Sequence, residues 1–308
     1  MVFALGLGDE LVGVSHECDY PPEALGRPVL VKPVLPLESM SPGEIDVAVT
    51  QRLREGHSLY EIDESLLRRL APNLVLTQNL CQVCAPSGNE LSQALSHLGD
   101  QPDVLWMTPH TLSEVLRNLR DLGEATGRQI LAEQVAADWD KRIQAVARRT
   151  AYAQDCPRVF CMEWMDPVYC SGHWVPEMVR IAGGKDALGR EGTDSVRVSW
   201  NAVADWAPEV LILMPCGFGL NEAVAQAHAL ANYPGFFDLP ATRAGRVYAV
   251  NANAYFARPG PRLVDGLELL HHLIHRPPDW PADSLAFAKL DTSKWRVNQV
   301  VAGQAGSH

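Results

Sequence analysis

Cys81 and Cys84 stand three apart in LTQNLCQVCAPSGNELSQAL (76–95), the spacing of half a zinc site or of a redox dithiol. No second Cys-x-x-Cys follows, and the nearest downstream histidines, His97 and His110, complete no ligand pattern. A redox pair belongs at a helix start, whereas Ala85-Pro86-Ser87 intervenes and the helix is expected from Ser87. The thiols therefore read as small side chains packed in a loop, with zinc or redox use as the alternative. A second segment, EWMDPVYCSGHWVPE (163–177), brings Trp164, Tyr169, His173 and Trp174 together. Stiff aromatic side chains with polar tips suit a bulky, flat ligand; the competing reading packs each tryptophan in a core. His173 could ligate a transition metal or donate to an amide, although a histidine beside a tryptophan more commonly just packs. His271, His272 and His275 end a helix before Pro277, where imidazoles favour the helix dipole, and are read as terminal decoration.

No catalytic constellation emerges. The chain has no nucleophile elbow, no zinc-hydrolase motif and no carboxylate pair forced together by spacing. MPCGFGLNE (214–222), which holds Phe218, lacks the Gly-Lys-Ser/Thr of a phosphate loop, and no dinucleotide fingerprint lies elsewhere, so no nucleotide is expected. Net charge is -11 without a basic run, which argues against nucleic acid as a partner. A non-catalytic binding protein is favoured over an enzyme, and a monomer is expected.

The elements that must position these residues follow an α/β rhythm. Val29–Val34, Ser58–Ile62, Leu74–Thr77 and Val104–Met107 read as strands, with helices over Gly43–Glu55, Glu64–Ala71 and Gly88–Leu98. Arg158–Met162, Val210–Met214 and Arg246–Val250 are strands of a second set, with helices over Trp174–Ala182, Trp200–Trp206, Leu220–Asn232 and Pro261–His275. Strand, helix, strand with short links implies parallel sheets. Between the sets, Leu112 to about Gln154 contains no proline. One continuous helix is favoured there, about 60 Å long; two helices interrupted at Gly123 or Gly127 are the alternative.

The expected fold is therefore α/β, with two Rossmann-like lobes (1–110 and 157–308), one long helix (111–156) and a ligand cleft between lobes. Strand-end loops Thr77–Asn89, Glu163–Pro176, Pro215–Asn221 and Asn251–Arg262 would face that cleft. Seven irregularly spaced cysteines and the absence of a basic leader point to a cytoplasmic chain. No stretch approaches the roughly 18 apolar residues of a membrane-spanning helix.

FALGLGDELVGVSHECDYP, LAPNLVLTQNLC, EWMDPVYCSGHWVPEMVRIAGG, LILMPCGFGL and NANAYFARPGPRLVDGLELLHHLIH together resemble the cobalamin-binding branch of the iron-complex/cobalamin substrate-binding proteins. These are the class III, helical-backbone binding proteins of ABC importers. The resemblance covers nearly the whole chain. It implies a corrinoid, cobalamin or a relative, as the ligand, with haem or a ferric siderophore as alternatives. A further alternative is an enzyme acting on a tetrapyrrole or metal centre. Gln78, Asn79 and Gln82 would bond peripheral ligand amides, and Tyr255-Phe256 falls where the family places a cleft aromatic, with Arg258 nearby. His173 would be the candidate axial ligand, and no metal site of the protein's own is expected. Glu90, and more weakly Glu222, match the acidic residues that dock on the importer's membrane component; a corrinoid-dependent enzyme is the other partner considered. The chain enters the family pattern at Met1-Val2, inside its first helix. An upstream strand and Pro/Ser-rich turn are therefore expected, and a periplasmic location would follow if they carried a secretion signal.

Overall fold

The computed structural model describes residues 1–78, 91, 94–96, 101–152, 155–275 and 285–295. It divides into two compact units, Met1–Asp138 and Trp139–His308.

In the first unit, β1 (Val14–Ser15) runs parallel to β2 (Val29–Pro33), and β3 (Tyr60–Ile62) pairs antiparallel with β2. A separate parallel pair joins β4 (Leu74–Thr77) to β5 (Asp103–Trp106). Each predicted strand is present within a residue or two, but the wholly parallel sheet is not: the direction of β3 reverses the expectation. Helix α1 (Pro42–Arg54) begins at a reciprocal cap. The Glu44 amide donates to Ser41 Oγ at 3.4 Å while the Ser41 amide donates to Glu44 Oε2 at 2.8 Å. Helix α2 (Glu64–Leu70) is capped by Asp63, whose carboxylate accepts from the Leu66 amide at 2.8 Å. Leu67, Leu91, Ala94 and Leu95 form a small core, with Leu30, Ile62, Val75 and Val104 packed against it.

The proline-free segment is two helices, α3 (Leu112–Ala125) and α4 (Gln129–Thr150), which corrects the single-helix reading. Gly127 makes the break, with φ +68, a backbone state that costs a side-chain-bearing residue more than glycine. Gly123 has a different task. A methyl group there would run into the Ala132 side chain, so the missing side chain lets the two helices touch. The unit boundary at Asp138 and Trp139 falls inside α4.

The second unit is built on one five-stranded sheet, ordered β10-β9-β8-β6-β7. β6 (Val159–Met165), β8 (Val210–Leu213) and β9 (Val247–Val250) are parallel neighbours. β7 (Val168–Cys170) and β10 (Phe287–Lys289) close the two sides antiparallel, so this sheet is mixed as well. Every residue of β8 and β9 is buried, as expected of apolar strands covered on both faces. Helices α5 (Val175–Ile181), α6 (Trp200–Trp206), α7 (Leu220–Gln226) and α8 (Leu263–His275) accompany the sheet. Arg142, on the part of α4 within this unit, forks onto α8: Nε donates to Glu268 Oε1 at 3.0 Å and Nη2 to Asp265 Oδ1 at 2.6 Å. These paired carboxylates hold the guanidinium firmly protonated. No helix among the described residues is long and apolar enough to cross a membrane.

Candidate ligand-binding site

The C-terminal ends of β6, β8 and β9 gather most of the singled-out residues of the second unit. Asp166-Pro167 turns β6 back into β7, so much of the anticipated loop 163–176 is hydrogen-bonded hairpin. Trp164 and Tyr169 are register partners across it. Directly opposed residues of an antiparallel pair share one face, so the two side chains leave the hairpin on the same side. Phe218, beyond β8, brings its ring to 5.3 Å from that of Trp164. Gly217, with φ +84, shapes the turn that delivers it. The Asn253 amide donates to the Phe218 carbonyl at 3.3 Å, and Arg258 Nε donates to the Asn253 carbonyl at 2.8 Å. Three strand-end segments thus converge through Trp164, Phe218, Asn253 and Arg258. Tyr255 is half-buried on the same segment as Asn253.

Trp174 and Phe256 also meet, but inside. Trp174 is 4% exposed, Phe256 is 2% exposed, and the indole Nε1 donates to the Phe256 carbonyl at 2.8 Å. They join the segment after β7 to the segment after β9 and present little surface to a ligand. Helical register explains the split between neighbours: Tyr255 ends the turn Ala252–Tyr255 half-buried, while Phe256 turns inward.

His173 has φ +50, a left-handed conformation held from both sides. Its amide donates to the Thr193 carbonyl at 2.7 Å and its carbonyl accepts from the Gly192 amide at 2.9 Å. Its Nε2 lies 3.1 Å from Asp194 Oδ1, and the side chain is 16% exposed. The nitrogen considered for a metal therefore has a carboxylate neighbour. Glu222 is exposed at the start of α7, where its carboxylate accepts from the Gly219 amide at 2.6 Å. In the first unit Gln78 follows β4 and is half-buried. Asn79, Cys81, Gln82, Cys84 and Glu90 lie outside the described residues. Among those described, no group of three or more metal-ligating side chains comes together.

Two carboxylates that the sequence did not single out hold the backbone under this face. Glu163 accepts from the Gly172 amide at 2.9 Å. Asp186 accepts from Ser171 Oγ at 3.0 Å and from the Leu188 and Gly189 amides at 3.1 and 2.9 Å. Burial pushes the Asp186 carboxyl above its ordinary value of 3.8, with those hydrogen bonds offsetting part of the effect. The folded state then holds the proton to higher pH than the unfolded chain does. Asp186 therefore contributes a loss of stability as pH rises through the window between the two values. Asp186→Asn is expected to remove that slope and to match or exceed the parent's stability at neutral pH. Urea unfolding of both proteins from acid to neutral pH checks this; a parent that gains on the variant as pH rises would contradict it. Asp186→Ala leaves the half-buried Leu188 and Gly189 amides without their acceptor and should cost about 2 kcal/mol.

A family model described as periplasmic binding protein matches residues 1–254. The chain belongs to that family. A periplasmic binding protein of this kind has two α/β units with mixed sheets and long helices between them, the class III arrangement. The vitamin B12-binding protein of Vibrio cholerae is 27% identical over 274 residues, which cover 87% of this chain and 82% of that protein. The crystal structure of the periplasmic vitamin B12 binding protein of Vibrio cholerae matches with a TM-score of 0.65 at 23% identity, covering 91% of this chain and 93% of that one. The apo periplasmic heme-binding protein of Roseiflexus sp. RS-1 matches with a TM-score of 0.66 at 23% identity, covering 89% and 93%. Both likenesses are of fold.

Family membership makes the chain a non-catalytic binder of a small molecule. Class III periplasmic binding proteins typically work with the membrane components of ABC transporters. The cytoplasmic expectation is corrected by the same finding, since the family and its solved relatives are periplasmic. Cysteine number does not report compartment in this chain. Cys161 and Cys170, both 0% exposed, fill the sheet interior as small apolar side chains, a role indifferent to compartment.

Proposed function

We propose that this periplasmic binding protein takes a cobalamin-like corrinoid and delivers it, unaltered, to the membrane component of an ABC importer. The observation that carries the reading is the aromatic row at the sheet's C-terminal end, Trp164 flanked by Tyr169 and Phe218. Contiguous half-buried rings offer apolar contact to a corrin face at little cost in side-chain order. The named function of the vitamin B12-binding relative at 27% identity supports the same ligand class. Tyr255 and Arg258 join the row as contacts, and Gln78, Asn79 and Gln82 are proposed to bond peripheral amides of the ligand. Trp174 and Phe256 serve as its supports. His173 is kept as a donor to a ligand amide, with axial ligation of cobalt as the stronger version of its role. Glu90 and Glu222 are proposed to dock on arginines of the membrane component.

Titration with cyano-, hydroxo- and adenosylcobalamin should quench tryptophan fluorescence saturably, with one site per chain. Trp164→Ala should weaken that binding about tenfold or more while leaving the fold intact. Failure of all three forms to bind at millimolar concentration would defeat the corrinoid reading, and tight binding of haem alone would replace it. A corrinoid absorption change that His173→Ala abolishes would mark axial ligation; an unchanged spectrum assigns His173 to the amide role.

A further inference from the structure

The ladder that pairs Trp164 with Tyr169 continues one strand further. Tyr169 forms an isolated antiparallel bridge with Arg197, flanked by backbone bonds from the Cys170 amide to the Val196 carbonyl at 3.1 Å and from the Val198 amide to the Val168 carbonyl at 3.0 Å. Residues opposed across successive antiparallel pairs share a face, so Trp164, Tyr169 and Arg197 form one row. Arg197 is exposed, yet its position is defined. Its Nε donates to the Tyr169 hydroxyl at 3.0 Å, and Cζ lies 5.7 Å from the centroid of that ring. A guanidinium set over an aromatic ring keeps its plane, and its Nη edge has the spacing of two phosphate or carboxylate oxygens.

We propose that Arg197 is a specificity-determining contact that reads an anionic substituent of the ligand whose apolar face lies on Trp164 and Phe218. This rests on the metal-complex reading above and deepens it: the ligand is a macrocycle that carries an oxyanion. Phosphodiester and carboxylate share that chemistry. Tyr169 is the positioning residue, since its hydroxyl takes Nε and its ring sets the height of the guanidinium.

The probes are cobalamin, which carries a phosphodiester, cobinamide, which lacks it, and haem, which carries carboxylates. Wild type and Arg197→Gln are compared by fluorescence titration, with circular dichroism to verify folding of the exposed-site variant. If the oxyanion is a phosphodiester, wild type should prefer cobalamin to cobinamide about tenfold, and Arg197→Gln should erase the preference by weakening cobalamin alone. If it is a carboxylate, the variant should weaken haem about tenfold and leave the cobalamin-to-cobinamide ratio unchanged. Arg197→Lys should restore part of the loss, and Tyr169→Phe should show a smaller loss with the same ligand. Unchanged affinity of Arg197→Gln for every probe that wild type binds overturns the assignment of Arg197 while leaving the corrinoid reading in place. A wild type that binds none of the three overturns both.

Discussion

Trp174→Ala is expected to destabilise the second unit by about 3–5 kcal/mol, enough to leave a marginal domain largely unfolded. The side chain is 4% exposed, so its volume is enclosed by the second unit. Its removal also strips the Phe256 carbonyl of the indole donor at 2.8 Å. Trp174→Phe separates the two contributions: it keeps most of the packing and loses the hydrogen bond, for an expected cost of about 1–2 kcal/mol. Urea unfolding followed by circular dichroism gives both numbers. Trp164→Ala is the contrasting variant, since that half-buried ring should matter to the ligand far more than to the fold. Equal stability of Trp174→Ala and the parent would mean that Trp174 is no support at all.

Gly172→Ala should damage stability and binding together. A methyl group at this position would strike the Ser195 amide, with Thr193 O at 2.8 Å and the Asp194 carbonyl carbon at 2.9 Å. These are backbone atoms, so no side chain can rotate out of the way. Segment 193–195 would have to move, and it carries the Asp194 neighbour of His173 and leads into Arg197 two residues later. A loss of about 2–3 kcal/mol is expected, with a drop in cobalamin affinity measured on whatever fraction remains folded. Gly260→Ala is the matched control, because no heavy atom lies within 4 Å of its added carbon. If Gly172→Ala behaves like that control, the packing of segment 193–195 on residue 172 is wrong.

Much of the second unit could be read from local signals. Helix α6 spans Trp200–Trp206 as expected because Ser199 caps it, accepting from the Ala202 amide at 3.2 Å. The run at Val210 reads as a buried strand because nothing in it is polar. The β6–β7 hairpin lies inside the expected loop Glu163–Pro176, because β7 is only three residues long, too short an alternation to register as a strand. β10 was missed for another reason: three residues pair with β9 across 37 positions of sequence, from Phe287 to Val250. The antiparallel direction of β3 likewise depends on tertiary pairing that periodicity does not carry.

The candidate site divides along the same line. Residue type pointed to Trp164, Tyr169 and Phe218, and the Trp164–Tyr169 strand pairing and the Trp164–Phe218 ring contact are among the described geometry. Type alone did not separate Trp164 from Trp174, or Tyr255 from Phe256, because exposure is decided by strand and helix register. Arg197 had a signal in Val-Arg-Val, an alternation suited to an edge strand, but its meaning depends on Tyr169 lying opposite. Glu163 and Asp186 offered nothing to read, since they accept mainly from backbone amides, with the Ser171 hydroxyl added at Asp186.

That the aromatic row sits on a laddered hairpin bears on how fast a ligand is captured. A free loop of this length would sample many arrangements, and each encounter would wait for the competent one or discard it. Here Trp164 and Tyr169 keep their mutual position through strand pairing within the fold itself, so the loss of backbone freedom has already been incurred during folding. Affinity differences among ligands that touch this row should consequently lie in their escape rates, with arrival rates nearly common to all of them.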